Sequence, residues 1–396
     1  MQPERHTGLE LPAADDASAA HSSRVAEYIC QRIKEEGGSI SFAEFMQHAL
    51  YAPGLGYYVS GTAKFGGAGD FITAPEISPL FGQVLARQAA PVLQQLDDRN
   101  ILELGAGSGV LAATMLRKLS LLNTLPDRYC ILEVSADLMQ RQQDFLYREA
   151  PDVAARVEWL SEPPAEFSGV IIANEVADAL PVERFTKSGN LLKQDRVAVD
   201  NGNFRWHQVD APGLLVEAVV DIEKSIGGTL PDNYRSEVCL ALTPWIGDLV
   251  SRLRKGFIFL FDYGVTRREY YAADRCEGWL RCHFRHHAHN NPLILPGIQD
   301  LTAWVDFSAL ANAAAERGAS IAGFVSQAHF LINGGLQEEL ADFTSLPLEE
   351  QLELSRQTKF LTLPGEMGEH FKCIGLSCGD IEPPSALHNS DRAHML

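Results

Sequence analysis

From Val25 onwards apolar residues recur at helical spacing, at Val25, Tyr28, Ile29 and Ile33, until Gly37 and Gly38 end the run. Ser41 with Glu44 three residues on is a capping-box start, and it predicts a second helix through Phe45, Met46 and Leu50 to the breaker Pro53. A glycine-dense stretch over residues 54–69 follows, and Ser78 with Pro79 then reads as an N-cap and first-turn proline opening a helix towards Leu96. Beyond it the pattern alternates. Short apolar runs at 101–104, 130–134, 157–160, 170–173 and 257–261 are separated by helical stretches, notably 110–119 and 138–148. Alternation of this kind predicts an α/β fold whose sheet is mostly parallel and covered on both faces.

The scheme breaks over residues 185–209, where KSGN (187–190) and DNGN (200–203) read as hairpin turns, so inserted β segments are expected there. Runs at 321–325 and 374–376 could complete the sheet. The expected layout is a polar, unstructured tail over 1–24, a helical N-terminal cap and lid over 25–98, and a sheet domain over 99–378. Insertions fall near 183–240 and 270–300, and a frayed tail occupies 379–396.

Apolar residues make up 46% of the 396-residue chain and charged residues 21%, which excludes wholesale disorder. The net charge of −19 repels phosphate backbones, and no basic patch stands out to overcome it, so a nucleic-acid partner is not expected. No apolar run reaches the length of a membrane span, and stable membrane insertion is likewise not expected. The seven cysteines are scattered and odd in number, which is no disulfide framework. Glu10, Asp15 and Asp16 sit in the first two dozen residues against Arg5 and Arg24 alone, unlike a transit or signal peptide, and a cytoplasmic location is expected.

The most informative segment is ILELGAGSGV (101–110). An apolar strand runs into Gly105, Gly107 and Gly109, and a helix begins at once; only missing side chains allow so sharp a turn and so close an approach of a ligand to the backbone. Thirty residues after Glu103, the second strand ends in Glu133, a carboxylate placed to hold a ribose diol. A dinucleotide fingerprint would have glycine where this chain has Val110. The acid Glu103, two residues before the first glycine, disfavours a pyrophosphate and suits the cationic amino group and sulfonium of S-adenosylmethionine. A nicotinamide cofactor and a purely structural glycine turn remain the alternatives on this stretch.

The fourth predicted strand ends in NEVADALPV (174–182), and strand ends of an open α/β sheet face its ligand crevice. There the sequence resembles the MidA-like methyltransferases, a family whose mitochondrial member is a respiratory complex I assembly factor that methylates an arginine. The resemblance runs from about residue 41 to 377 and rests on PGLGYY (53–58), GDFITAPEIS (69–78), LELGAG (102–107), LEVS (132–135) and NEVADALPV (174–182). DYG (262–264), QDLT (299–302), VDF (305–307) and MGE with FK (367–369, 371–372) match as well. One departure is visible: Val176 and Ala177 stand where the family often has an aromatic residue or leucine.

The resemblance implies a class I, Rossmann-like methyltransferase fold and S-adenosylmethionine as cofactor. It also implies a protein arginine as acceptor, with a subunit of NADH:ubiquinone oxidoreductase the known kind of substrate. Glu103, Gly105, Gly107, Gly109, Glu133, Asn174 and Thr73 are expected to bind the cofactor. Glu175 and Asp178, as paired carboxylates, are expected to grip the guanidinium and polarise its charge away from the reacting nitrogen. Residues 69–78 are expected to close over the pocket, with Asp70 and Thr73 touching ligand and Glu76 a third acid at the acceptor.

The crowd of Cys276, Cys282, His283, His286, His287 and His289 lacks zinc-ligand spacing, and no metal is expected there; Arg285, His286 and His289 match a family loop of unassigned role. Partners expected are a protein substrate, with a second copy of the chain in a homodimer left open. A small-molecule acceptor, and an assembly chaperone that uses its cofactor pocket for stability or sensing, are the alternative functions.

Overall fold

The computed structural model describes residues 11–60 and 72–396. Two compact units emerge, and the chain passes between them repeatedly.

One unit comprises Ile72–Asp178, Leu242–Tyr270 and Trp304–Leu396. Its first elements are α1 (Ala74–Ile77) and α2 (Pro79–Leu93), the latter capped by the Ser78 hydroxyl, which accepts from the Leu80 amide at 3.3 Å. Then come β1 (Asn100–Leu104), α3 (Val110–Leu121), β2 (Arg128–Leu132), α4 (Ala136–Glu149), β3 (Val157–Leu160) and β4 (Phe167–Asn174). Later segments add β5 (Leu253–Val265), β6 (Ser320–Ser326) and β7 (Phe371–Cys378). Across the sheet the strands lie in the order β6-β7-β5-β4-β1-β2-β3, all parallel except β7, which runs antiparallel to both its neighbours. The α/β expectation with a mostly parallel sheet holds.

Strands buried on both faces need continuous apolar sequence, and β5 supplies it with Phe257, Phe259 and Phe261, all fully buried. Phe261 packs edge-on against Phe81 of α2 at 5.0 Å and against Phe330 at 4.9 Å, which joins the sheet to its helical cover. β1 lies between β2 and β4, and the chain order reverses direction on its two sides. The carboxyl ends of β1 and β4 therefore flank the switch point of the sheet.

Two expectations are corrected in this unit. Residues 72–98, assigned above to the N-terminal cap, belong here, because α2 covers the sheet with Phe81, Val84 and Leu85 fully buried. The C-terminal stretch from 379 is ordered: Ala386 and Leu387 are buried, the Phe324 amide donates to Asp391 Oδ1 at 2.8 Å, and the Arg392 amide donates to the Phe324 carbonyl at 2.7 Å. The tail thereby satisfies the open edge of β6.

The other unit consists of the described residues up to Ser60 with Ala179–Ala241 and Tyr271–Ala303. Both predicted hairpins form, one between Glu183–Ser188 and Leu191–Asp200, the other between Leu191–Asp200 and Asn203–Asp210. Ser39–Ile40 and Arg235–Val238 extend them to a five-stranded antiparallel sheet. The predicted capping box is present, with Ser41 Oγ accepting from the Glu44 amide at 3.1 Å and Glu44 Oε2 from the Ser41 amide at 2.7 Å. Because Ser39–Ile40 is a strand of this sheet, the helical cap and the hairpin insertion are one structure and not two.

The first helix also begins earlier than expected, at Asp16, with Asp15 Oδ1 capping the Ser18 amide at 2.9 Å. Its first turns carry no apolar stripe; they are held by His21, whose Nε2 bonds the Leu55 carbonyl at 2.8 Å. Among the described residues no helix is long and apolar enough to cross a membrane.

The centre of the parallel sheet depends on two glycines that sit side by side. A Cβ on Gly256 of β5 would stand 1.9 Å from the Gly169 carbonyl oxygen, and one on Gly169 of β4 would stand 2.2 Å from that of Asn100. Gly256→Ala must therefore push backbone against backbone, and it is expected to lower stability by about 3 kcal/mol in urea unfolding. An unchanged midpoint would refute the close approach.

Candidate active site

Three left-handed glycines carry the chain from β1 into α3: Gly105 at φ 63°, Gly107 at 54° and Gly109 at 87°, the last forming the helix N-cap. Glu103, just before them, is buried at 3% exposure and accepts from the Tyr129 hydroxyl at 2.7 Å. Burial pushes its carboxyl up to about 7, against the opposing pull of that hydroxyl.

Glu133 follows β2 and is buried, with Oε1 accepting from the Ser135 amide at 2.8 Å and Oε2 from Gln142 Nε2 at 3.1 Å. The fully buried Gln142 also donates to the Gly107 carbonyl at 3.0 Å, and its Oε1 accepts from Trp159 Nε1 at 2.9 Å. One amide from α4 thus ties the glycine loop to the expected ribose acid. Sequence reasoning missed Gln142, although a polar residue lying four positions from both Leu138 and Leu146 on an amphipathic helix was a signal.

Residues 72–78 do reach this loop: Glu76 of α1 accepts from the Ser108 hydroxyl. Glu76 therefore belongs with the glycine loop and is corrected from its expected place at the acceptor. Thr73 precedes α1 without a side-chain bond to it, and Asp70 lies outside the described residues.

At the end of β4 the chain makes a tight, clamped loop. Glu175 sits at φ 54°, a left-handed conformation that costs a non-glycine residue roughly 1–2 kcal/mol. Its amide donates to the Phe261 carbonyl of β5 at 2.9 Å. The amides of Ala177 and Asp178 both donate to Asp262 Oδ2, at 3.0 and 3.1 Å, and the Tyr263 amide donates to Asp262 Oδ1 at 3.0 Å.

Asp262 is wholly buried. Its carboxyl is raised well above the usual range, first by burial and then by the Asp178 and Glu175 charges, against the pull of the amides it accepts from. In the sequence DYG (262–264) was legible only as a match to the family, not as this clamp.

The two acids of the acceptor pair differ. Glu175 is half-buried and accepts from Asn174 Nδ2 at 3.2 Å. Asp178 is 5% exposed, and its Oδ2 accepts from the Tyr263 hydroxyl. Of the two acids expected at the acceptor, Asp178 is thus the more deeply buried, on the loop that the buried amide clamp holds.

Loop and clamp adjoin: a Cβ built on Gly105 would lie 3.5 Å from Val176 Cγ2. Beside that contact the buried Asn174 Oδ1 has no hydrogen-bond partner among the described residues. A buried orphan acceptor next to left-handed glycines fits a ligand carrying a cationic N–H donor, as the amino group of S-adenosylmethionine is.

The histidine and cysteine crowd lies elsewhere. Cys282 is buried in the core of the other unit, Cys276 is exposed, and His287 Nδ1 bonds the Arg285 carbonyl at 2.7 Å. Among the described residues no group of three or more His, Cys, Asp or Glu is arranged to hold a metal ion.

Comparison with known proteins supplies what geometry alone does not. Residues 84–325 match the family described as S-adenosyl-L-methionine-dependent methyltransferase. A protein from Burkholderia thailandensis solved with S-adenosyl-homocysteine bound shares 37% identity at a TM-score of 0.92, covering 98% of this chain and 100% of that one. The rat mitochondrial protein arginine methyltransferase NDUFAF7 is 30% identical over 401 residues, 91% of this chain and 86% of that protein. Its zebrafish counterpart is 28% identical over 393 residues, 90% of this chain and 87% of that protein. These relatives are mitochondrial by name, and they overturn the cytoplasmic location expected from the N-terminal composition. The nicotinamide reading of the glycine loop falls as well, and the chain belongs to the S-adenosyl-L-methionine-dependent methyltransferases.

Proposed function

We propose that the protein methylates the guanidinium of an arginine in a protein acceptor, and that the acceptor is a subunit of NADH:ubiquinone oxidoreductase. The observation that carries this reading is the clamped loop after β4, where Glu175 is held in a left-handed conformation one residue from the Val176 contact with the glycine bend. Relatives named as protein arginine methyltransferases support the acceptor class.

When bound, S-adenosylmethionine supplies an electrophilic methyl group on a sulfonium. Glu133, oriented by Gln142, would hold its ribose diol, and Asn174 Oδ1 would accept from its amino group. Gly105, Gly107 and Gly109 would let the ligand approach the backbone, with Glu103 buried at the strand end behind the loop and Thr73 on the α1 side.

An arginine side chain arrives protonated, so its nitrogens are poor nucleophiles until charge is drawn away from one of them. Glu175 does this by bonding the guanidinium, and it accepts the proton released once the nitrogen is alkylated. Asp178 and Asp262 act behind Glu175, the first through Tyr263 and the second through the loop amides. Positioning supplies most of the rate, and no covalent intermediate with the protein is needed.

Incubation with a labelled methyl donor and host lysate, followed by mass spectrometry, should reveal label on an arginine of a complex I subunit; label confined to small molecules would refute the reading. In the same assay Glu175→Gln is expected to lower transfer on the order of a hundredfold while S-adenosyl-homocysteine affinity stays within about twofold. Equal loss of both would remove Glu175 from the acceptor.

Gln142→Leu leaves the Glu133 carboxylate, the Gly107 carbonyl and the Trp159 indole without their shared partner. It should weaken S-adenosyl-homocysteine binding roughly tenfold or more in calorimetry, each stranded buried group costing about 1–3 kcal/mol. Undiminished binding would sever Gln142 from the cofactor site.

Glu103 gives a pH signature. Its folded pKa of about 7 lies above the usual 4.5, so between those values the folded chain holds a proton that the unfolded chain has lost. Stability from this group is complete below about pH 4.5 and declines as pH rises through 7. Relative to Glu103→Gln, the wild-type chain should lose about 3 kcal/mol between pH 5 and 8 in urea titrations, whereas parallel curves would contradict the buried acid.

A further inference from the structure

β5 buries Phe257, Phe259 and Phe261 completely, and then, one step past the wholly buried Asp262, sets Tyr263 at a half-buried position. Tyr263 faces the half-buried Phe371 across the β5–β7 pairing, with ring centroids 5.3 Å apart at 75°. Its ring also meets that of Trp304 at 6.1 Å and 65°. Trp304, half-buried as well, is held by the backbone, since the next residue, Val305, pairs in parallel with Gly264 of β5. On its other side Trp304 meets His370 at 5.6 Å and 63°.

Tyr263 and Trp304 are thus partly exposed aromatic residues at the end of a strand whose other aromatics are sealed in the core. The Tyr263 hydroxyl donates to Asp178, and its amide to Asp262, so the ring is locked at the edge of the clamped loop that carries Glu175. Electron-rich ring faces beside carboxylates are the chemistry that recognises an organic cation. Among cations, a guanidinium is planar and weakly hydrated and stacks on such faces, whereas an ammonium keeps its water.

We propose that Tyr263 and Trp304 form an aromatic wall that selects a planar guanidinium over an ammonium as the methyl acceptor, an inference that rests on the arginine reading above. Glu175 then neutralises the acceptor while the rings read its shape. Tyr263 owes its orientation to Asp178, which gives that acid a positioning role.

The test uses the full chain saturated with S-adenosyl-homocysteine and two probes, acetyl-Gly-Arg-Gly-amide and its lysine counterpart, followed by calorimetry and tryptophan emission. The arginine peptide is expected to bind roughly tenfold more tightly than the lysine peptide and to change the emission. Trp304→Leu should erase that preference and leave S-adenosyl-homocysteine affinity unchanged. Trp304→Phe, which keeps a ring and spares the fold, should retain part of the preference and lose the emission change. Equal binding of the two peptides, binding of neither, a preference that survives Trp304→Leu, or an emission change that survives Trp304→Phe would each overturn the wall. If the chain binds S-adenosyl-homocysteine normally but does not distinguish the peptides, the wall alone fails; if it does not bind that ligand, the methyl-transfer reading fails and takes the wall with it.

Discussion

A single buried carboxylate organises the chemistry of this protein. Asp262 accepts two successive amides from the loop after β4 and one from its own strand, while the Phe261 carbonyl beside it takes the Glu175 amide. A left-handed Glu175 is unfavourable in isolation, and three backbone hydrogen bonds, two of them to a carboxylate, more than offset its cost. Pairing with β5 thus holds the loop as much as its own sequence does, and with it the acid proposed to meet the acceptor. The clamp itself is costly: Asp262 is wholly buried with two acids near it, and burial and those acids both press it towards the neutral form.

The sheet order explains why one site can hold both halves of the chemistry. β1 and β4 are neighbours on either side of the reversal in strand order, so the loops that follow them emerge together. The glycine bend can then approach Val176 because Gly105 has no side chain to intervene. On the far side of the bend, Gln142 fastens Gly107 to Glu133. A buried amide can do this because it donates and accepts at once, which a hydrocarbon of equal size cannot. Cofactor and acceptor groups are thus set by hydrogen bonds from strands and helices behind them, and the loops themselves carry few choices.

Much of this was legible in the sequence, and the failures have physical causes. The central strands β4 and β5 announced themselves because both faces are buried and each carries a long apolar run, and β3 begins and ends where its shorter pattern does. The glycine spacing and Glu133 were visible because backbone geometry demands those residue types. The helix before Val25 was not, since its first turns are polar and are held by tertiary bonds, from His21 to the Leu55 carbonyl and from Arg285 to Asp15. The ordered C-terminal stretch was hidden for a similar reason: it borrows its backbone partners from β6 at Phe324. The joining of Ser39–Ile40 to a hairpin more than 150 residues away is a long-range pairing that no local pattern encodes. Nor does any local pattern tell that Asp178 turns towards Tyr263 while Glu175 does not.

That last difference decides how two adjacent acids divide their work. A carboxylate that already accepts a phenolic hydroxyl and lies 5% exposed can reach an incoming cation only by giving up that bond and opening its cover. Glu175 is half-buried and accepts from the Asn174 amide. In the proposed function the charge that meets the acceptor therefore sits on the less buried acid, while Asp178 stays with the Tyr263 hydroxyl. The inner acids then serve as fixed acceptors for backbone and phenol, and the outer one is left as the charge that an arginine would neutralise.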